Sequence, residues 1–253
     1  MDKDDRIALW QALDTVGASL GDGYRDAVPL PDFSDAARAD AGPSRPEPRS
    51  PSRALGRVPA GGRTPDSRPA EDLGAIEAEA SRCLKCRLAS GRTRVVFGQG
   101  VRAPSVLVIG EGPGAEEDAR GLPFVGPAGQ LLDRMLLAIG LSRETNVYIA
   151  NIVKCRPPMN RDPAPDEQAA CRGYLDRQLE ALRPRAVLAV GRIPAQALLG
   201  VKDGIGKLRG RVWDFRGLPL VPTYHPSALL RDETLKRPAW EDLKLLKALL
   251  PDA

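Results

Sequence analysis

The sequence is poor in histidine and aromatic residues, and it has no long apolar run. His225 is the only histidine, and Phe, Trp and Tyr together make up 4% of the 253 residues. The apolar runs, such as Val106 to Ile109, are far too short to cross a bilayer. The chain opens MDKDDRIALW, without the apolar stretch of a secretory signal. These absences argue against a membrane protein and predict a chain that works in the reducing cytoplasm.

Cysteine is also scarce, with Cys83 and Cys86 in a C-x-x-C pair and Cys155 and Cys171 much later. A C-x-x-C pair lets two soft thiolates on one turn reach a common metal site. Zinc ribbons usually use two such pairs, whereas an iron–sulfur cubane spans the wider second spacing more readily. Spacing therefore favours an iron–sulfur cluster over zinc, and a reducing compartment puts disulfides third.

The overall charge is mildly basic. A net charge of +4 and a pI near 9.0 suit a polyanionic partner without proving one. The length allows one sizeable domain or two small ones.

The first 70 residues differ in composition from the rest. Residues 1–20 place apolar side chains at helical spacing, which predicts an amphipathic helix. Residues 21–70 are rich in Pro, Arg, Ser and Gly and have too little apolar surface to offset the entropy of ordering, which predicts a disordered linker. The remaining residues, 71–253, are the predicted catalytic or binding domain.

Strand and helix patterns alternate through this domain. Apolar strands are predicted at 105–110, 146–153, 186–191 and 218–225, and helices at 71–86, 126–141, 166–182, 193–200 and 238–249. The alternation predicts a three-layer α/β/α sandwich with a central parallel four-stranded sheet. Ligands of such sheets bind at the carboxyl ends of the strands, where Glu111, Asn151 and His225 fall.

Several residues at this edge have chemistry to offer. The turn GEGPG (110–114) lacks the Lys-Ser/Thr of a phosphate loop and suits close approach to a planar, neutral ligand. His225 could donate to a developing oxyanion, Asn151 could read a pyrimidine amide edge, and Phe124 could stack on a base. Each feature also has a purely structural interpretation. The GEGPG segment could be only a tight turn, His225 a structural histidine, Asn151 a strand cap and Phe124 a core anchor.

Four segments occur in order with the cysteines: GEGPG, PFVGPAGQLL, NIVKCRPPMNR and HPSALL. Together they resemble the family 4 uracil-DNA glycosylases, the iron–sulfur branch of the uracil-DNA glycosylase superfamily, over about residues 75–250. The resemblance implies a monofunctional base-excision repair enzyme that flips uracil out of single- or double-stranded DNA and leaves an abasic site. It also implies a 4Fe-4S cluster, a monomer, and activity that survives deletion of residues 1–70.

The resemblance carries over to individual positions. The implied cluster ligands are Cys83, Cys86, Cys155 and Cys171. The implied uracil pocket comprises Glu111, Gly112, Pro113, Phe124, Asn151 and His225, with His225 facing uracil O2. Asn160 or Glu117 would hold the attacking water, Leu229 would act as the wedge in the base stack, and Arg231 and Lys236 would contact phosphates. Ala115 departs from relatives that often have an acid there.

Three other readings stay open. A superfamily member that forms a covalent DNA adduct through histidine would need an Arg/Lys-rich insertion between Cys155 and Cys171, which is absent. A noncatalytic, DNA-polymerase-associated iron–sulfur DNA-binding protein would not need the whole set of pocket residues. An iron–sulfur redox protein would need a partner surface that the sequence does not display.

Overall fold

A computed structural model describes residues 71–250 of the chain. The helix predicted at 1–20 and the linker predicted at 21–70 lie outside the described residues, so both stay predictions. Among residues 71–250, no helix combines the length and apolar content needed to span a bilayer.

The described residues form an alternating α/β chain. In chain order the elements are α1 (Leu73–Ser81), β1 (Gln99–Gly100), β2 (Val106–Gly110), α2 (Ala115–Arg120), α3 (Pro127–Leu137), β3 (Val147–Asn151), α4 (Pro165–Leu182), β4 (Ala186–Val190), α5 (Arg192–Leu199), α6 (Ile205–Leu208), β5 (Trp213–Phe215), β6 (Leu218–Thr223), α7 (Pro226–Arg231) and α8 (Lys236–Ala248). Short 3₁₀ turns cover Arg87–Ser90, Pro158–Asn160 and Glu233–Leu235.

The sheet has six strands in the order β1-β3-β2-β4-β6-β5. Its four central strands are parallel, as predicted, and the register pairs Gly110 of β2 with Asn151 of β3. The two edge strands, β1 and β5, are antiparallel and were not predicted. Both have only two or three residues, too short for a period-two pattern to be recognised.

Helices cover both faces of the sheet and confirm the three-layer architecture. On one face, Leu107 and Ile109 of β2 pack in a core shared with α1, α4 and α5. On the other face, Val106 and Val108 pack with α3, α7 and α8. This alternation of one strand between two cores explains why the central strands read as continuous apolar runs.

Since β3 and β4 lie on opposite sides of β2, the strand order reverses there. Such a switch point opens a crevice at the carboxyl ends of the strands.

Two helices near the predicted functional residues differ from the prediction. The helix predicted to run through Cys86 ends at Ser81, so Cys83 and Cys86 lie in the turn that follows it. No helix was predicted at 226–231, but Pro226 is the first residue of α7 and His225 is its N-cap. Proline is favoured at that position because its missing N–H would have no intrahelical partner there.

Candidate functional site

A crevice opens at the carboxyl ends of the central strands. Its walls bring together the GEGPG turn, the end of β3, the 157–162 loop and the start of α7. The lining residues are Glu111, Gly112, Pro113, Gly114, Glu117, Phe124, Ala128, Asn151, Pro157, Asn160, Arg161, Asp162, His225, Ser227 and Arg231. The crevice therefore contains all the residues predicted for substrate binding and for catalysis.

Phe124 is held in the crevice wall by its backbone. Its φ of 52° lies in the left-handed region, which is unusual for an aromatic residue. The buried guanidinium of Arg143 donates to the carbonyls of Pro123 and Phe124 at 3.1 and 3.0 Å. Gly129 of α3 is equally necessary, since a Cβ there would lie 1.9 Å from the Phe124 carbonyl oxygen. The ring of Phe124 thus faces the crevice, with its centroid 5.7 Å from that of His225.

Asn151 lies at the floor of the crevice with an unused acceptor. The residue is 1% exposed, and its Oδ1 has no hydrogen-bond partner. Gly110, its register partner, leaves the necessary space, because a Cβ at Gly110 would lie 2.4 Å from that oxygen and 2.6 Å from Phe124. An unpaired buried carbonyl costs free energy unless a ligand donates to it.

His225 is oriented by the first turn of α7. Its Nδ1 accepts from the Ser227 amide at 3.1 Å and lies 2.7 Å from Ser227 Oγ. Burial, assisted by the positive charge of Arg231, lowers the pKa of His225 to about 4, although Glu117 opposes the shift. The imidazole is therefore neutral at physiological pH, and because Nδ1 accepts, its proton is on Nε2.

Glu111 has a perturbed carboxyl group. Burial raises its pKa to about 7, the negative charge of Asp162 adds to the effect, and Arg192 partly offsets it. Asp162 is itself paired with Arg192 at the start of α5. Glu111 can therefore gain or lose a proton near neutral pH.

Glu117 joins two walls of the crevice. Its Oε1 accepts from the amides of Val125 and Gly126 at 2.9 and 3.1 Å, and its Oε2 accepts from Gly114 at 3.1 Å. Asn160 lies across the crevice with a φ of 55°, and its Oδ1 accepts from Arg156 at 2.9 Å. Oε2 of Glu117 keeps a free lone pair, and Asn160 also lines the crevice. Either side chain could therefore orient a water molecule.

The four cysteines line a second cavity, together with Lys154 and Arg92. Amide and guanidinium groups point at the sulfurs: Lys85 N lies 3.5 Å from Cys83, and Arg92 Nη1 lies 3.4 Å from Cys155. Within residues 71–250, no three Cys, His, Asp or Glu side chains cluster closely enough for a single metal ion. Four soft thiolate donors around one cavity are ligands that suit an iron–sulfur cluster or zinc.

Comparison with known proteins agrees with this geometry. A model of the uracil DNA glycosylase superfamily matches residues 97–244, more than half of the chain. The chain belongs to the uracil-DNA glycosylase superfamily. A type-4 uracil-DNA glycosylase of Thermotoga maritima is 43% identical over 185 residues, covering 71% of this chain and 96% of that protein. One from Saccharolobus solfataricus is 42% identical over 189 residues, covering 71% of this chain and 87% of that protein.

A more distant relative of this chain is a DNA polymerase of Bacillus phage SP01. It is 29% identical over 153 residues, which cover 60% of this chain and 16% of the polymerase. The match to type-4 glycosylases is therefore both closer and more complete.

The role that the glycosylase resemblance implies for one residue does not fit its position. Leu229 is 2% exposed and packs in the core with α3 and α8, so it is not available as a wedge. On α7 the exposed leucine is its neighbour Leu230, at 43% exposure. Arg231 lies at the crevice as expected, whereas the Lys236 ammonium is engaged by Glu233 at 2.6 Å.

Sequence reasoning missed the residues that support this superfamily site. Arg143 holds the Phe124 carbonyl, Ser227 orients His225, and Asp162 helps to raise the pKa of Glu111. Arg143 and Asp162 lie outside the four motif segments, and Ser227 lies within HPSALL but was given no role. Lys154 was also missed, although it lies within the NIVKCRPPMNR segment. A charged residue between an apolar strand and a cysteine was the available signal for it.

Proposed function

We propose that this chain is a uracil-DNA glycosylase of base-excision repair, which hydrolyses the N-glycosidic bond of uracil in DNA. The observation that carries the proposal is the buried, unpaired Oδ1 of Asn151, which lies in one crevice with the rings of Phe124 and His225. That arrangement offers a pyrimidine a stacking ring, a hydrogen-bond acceptor and an imidazole in the same crevice.

Uracil cannot be reached within a duplex, so the nucleotide must rotate out of the stack. Flipping costs a few kcal/mol and costs least in mismatched or single-stranded DNA. Stacking of the flipped base on Phe124 contributes about 1–3 kcal/mol. Arg231 at the crevice rim offers a phosphate contact. We assign the wedge role to the exposed Leu230 instead of Leu229.

Asn151 distinguishes uracil from cytosine. Its Oδ1 accepts from uracil N3–H and its amide donates to O4, whereas cytosine reverses the donor and acceptor at both positions. Loss of both hydrogen bonds would leave buried polar groups unpaired, which is the strongest basis for discrimination in a small pocket. The turn at Glu111, Gly112 and Pro113 forms the wall that excludes the methyl group of thymine.

Cleavage of the glycosidic bond leaves its electron pair on uracil, which departs as an anion from a sugar cation. The Nε2–H of His225 donates to O2, where that negative charge develops. Water oriented by Asn160 or Glu117 adds to the sugar carbon and loses a proton, and the uracil anion takes up a proton, which completes the hydrolysis. The described crevice lining contains no lysine that could act as a nucleophile, so the product is an intact strand with an abasic site.

We also propose that Cys83, Cys86, Cys155 and Cys171 hold a 4Fe-4S cluster. When bound, it would cross-link the turn after α1, the loop after β3 and α4, which are far apart in sequence. We assign it a structural role, since none of the four cysteines lines the crevice. Purified protein should be brown and contain about four irons and four sulfides per chain, and a zinc-loaded colourless protein would contradict this assignment.

The direct test is incubation of the purified full-length chain with an oligonucleotide containing one uracil, followed by hot alkali. Strand cleavage only after alkali supports a monofunctional glycosylase. Cleavage without alkali would indicate a lyase step, and no cleavage at all would favour a noncatalytic, polymerase-associated DNA-binding protein. One chain supplies every assigned crevice residue, so we propose that it acts as a monomer, and activity per chain should not change with dilution.

A further inference from the structure

Lys154 lies between the cysteine cavity and the crevice, and no step of the proposed chemistry uses it. It is 2% exposed and is among the largest fully buried side chains of the described residues. It follows Asn151 by three residues and directly precedes Cys155. Burying an ammonium costs several kcal/mol unless a counter-charge and hydrogen bonds compensate.

The hydrogen-bond partners of the ammonium are neutral. Nζ donates to the main-chain oxygen of Asn151 at 2.9 Å and to Oε1 of Gln178 at 2.5 Å, and it lies 5.9 Å from the centroid of Phe97. Gln178 is fully buried and is fixed by its own bond to the Phe97 carbonyl at 3.0 Å. Within residues 71–250, no Asp or Glu forms an ion pair with Lys154. The compensating negative charge must come from elsewhere.

The cysteine cavity is the available source of that charge. Lys154 lines the cavity beside all four cysteines, and its amide donates to Cys171 Sγ at 3.3 Å. Four thiolates around a 4Fe-4S core leave a net negative charge, and nearby charges and N–H groups tune its reduction potential. The same lysine therefore lines the cysteine cavity and is hydrogen-bonded to the crevice residue Asn151.

We propose that Lys154 is a positioning residue that couples the two sites: its ammonium offsets the charge of the metal-bound thiolates and holds the Asn151 main chain so that its carboxamide faces the base. The proposal rests on the proposed glycosylase function and on the cluster at the cysteines. The 2.9 Å hydrogen bond from the ammonium to the Asn151 carbonyl links the main chain at the end of β3 to Lys154.

The test compares Lys154→Met with the wild type and with Lys207→Met as a matched control. Methionine keeps an unbranched apolar stem but removes the charge and both donated hydrogen bonds. Lys207 is exposed, so its variant removes one positive charge without touching either site. Four quantities are measured on iron-loaded protein: iron per chain, the reduction potential, inhibition by free uracil, and affinity for DNA that carries an abasic site.

The proposal expects Lys154→Met to lower the reduction potential, because loss of a nearby positive charge favours the oxidised cluster. It also expects uracil inhibition to weaken about tenfold, while affinity for abasic DNA stays within about twofold because that ligand leaves the base pocket empty. Loss of iron together with weaker uracil inhibition also supports the coupling. An unchanged potential or unchanged uracil inhibition, with iron retained, overturns it.

If Lys154→Met does not fold, Gln178→Glu tests the same idea. It places a carboxylate against the ammonium, so it should lower the potential and weaken uracil inhibition, and unchanged values overturn the proposal. A wild type that releases no uracil would instead contradict the proposed function. A wild type without iron would contradict the cluster assignment, so the three failures are distinguishable.

Discussion

The guanidinium of Arg143 donates to the Phe124 carbonyl at 3.0 Å and, through the same nitrogen, to Asp133 at 2.7 Å. One side chain therefore links α3 to the loop that presents the base-stacking ring. The left-handed φ of Phe124 needs such support, because an unsupported aromatic residue would relax toward ordinary backbone angles.

Replacing Arg143 should disturb the position of Phe124. We expect Arg143→Met to lower kcat/KM for uracil-containing DNA about 10- to 100-fold, which corresponds to about 1.4–2.7 kcal/mol. Arg143→Lys keeps the charge beside Asp133 but loses the forked contacts to the carbonyls. Compared with Arg143→Met, Arg143→Lys should therefore recover more of the thermal stability than of the activity. Arg120→Met on exposed α2 is the matched control, and equal effects of the two substitutions on excision would contradict this role of Arg143.

His225 should matter for turnover far more than for DNA binding. Loss of a donor to a developing oxyanion typically lowers kcat about 10²- to 10³-fold. We expect His225→Asn to show a loss of this size in single-turnover excision, with DNA affinity changed by less than about threefold. Normal excision by this variant would show that another group stabilises the uracil anion.

The lowered pKa of His225 also makes stability depend on pH. Between its ordinary value of 6.5 and about 4, the unfolded chain binds a proton that the folded chain does not. The contribution of neutral His225 is thus fully present above about pH 6.5 and is lost as pH falls toward 4. Denaturant unfolding should show a shallower decline over this range for His225→Asn than for the wild type.

Glu111 should produce the opposite pH dependence. Its pKa in the folded state is raised from 4.5 to about 7, so its contribution is present below pH 4.5 and is lost as pH rises through 7. The free energy of unfolding of Glu111→Gln, relative to that of the wild type, should be higher at pH 8 than at pH 5. We expect a gain of about 1 kcal/mol, because solvent screens the half-buried group. Glu116→Gln on exposed α2 is the control, and parallel pH curves for wild type and Glu111→Gln would contradict the raised pKa.

The two leucines of α7 should behave differently. Leu229→Ala should cost about 2–4 kcal/mol of stability, because it opens a cavity in the core. Leu230→Ala should change stability by less than about 0.5 kcal/mol. It should slow excision from duplex DNA more than from single-stranded DNA, since only the duplex requires full unpairing. Equal slowing on both substrates would argue against a wedge at Leu230.

The sequence by itself was sufficient to predict the three-layer fold and the four parallel strands. Continuous apolar strands and ordered motifs report local structure directly, so Glu111, Asn151 and His225 could be placed at one edge without coordinates. Short edge strands and the end of α1 lack such a signal, since one turn or a few residues decide them.

Only the tertiary structure decided which face of α7 is buried and which distant groups act on the crevice. Leu229 and Leu230 are chemically identical, and packing against α3 and α8 alone separates them. Likewise, the protonation of Glu111, the position of Phe124 and the burial of Lys154 depend on Asp162, Arg143 and Gln178. Each of these partners comes from another segment of the chain, and spacing along a sequence does not encode contacts across space.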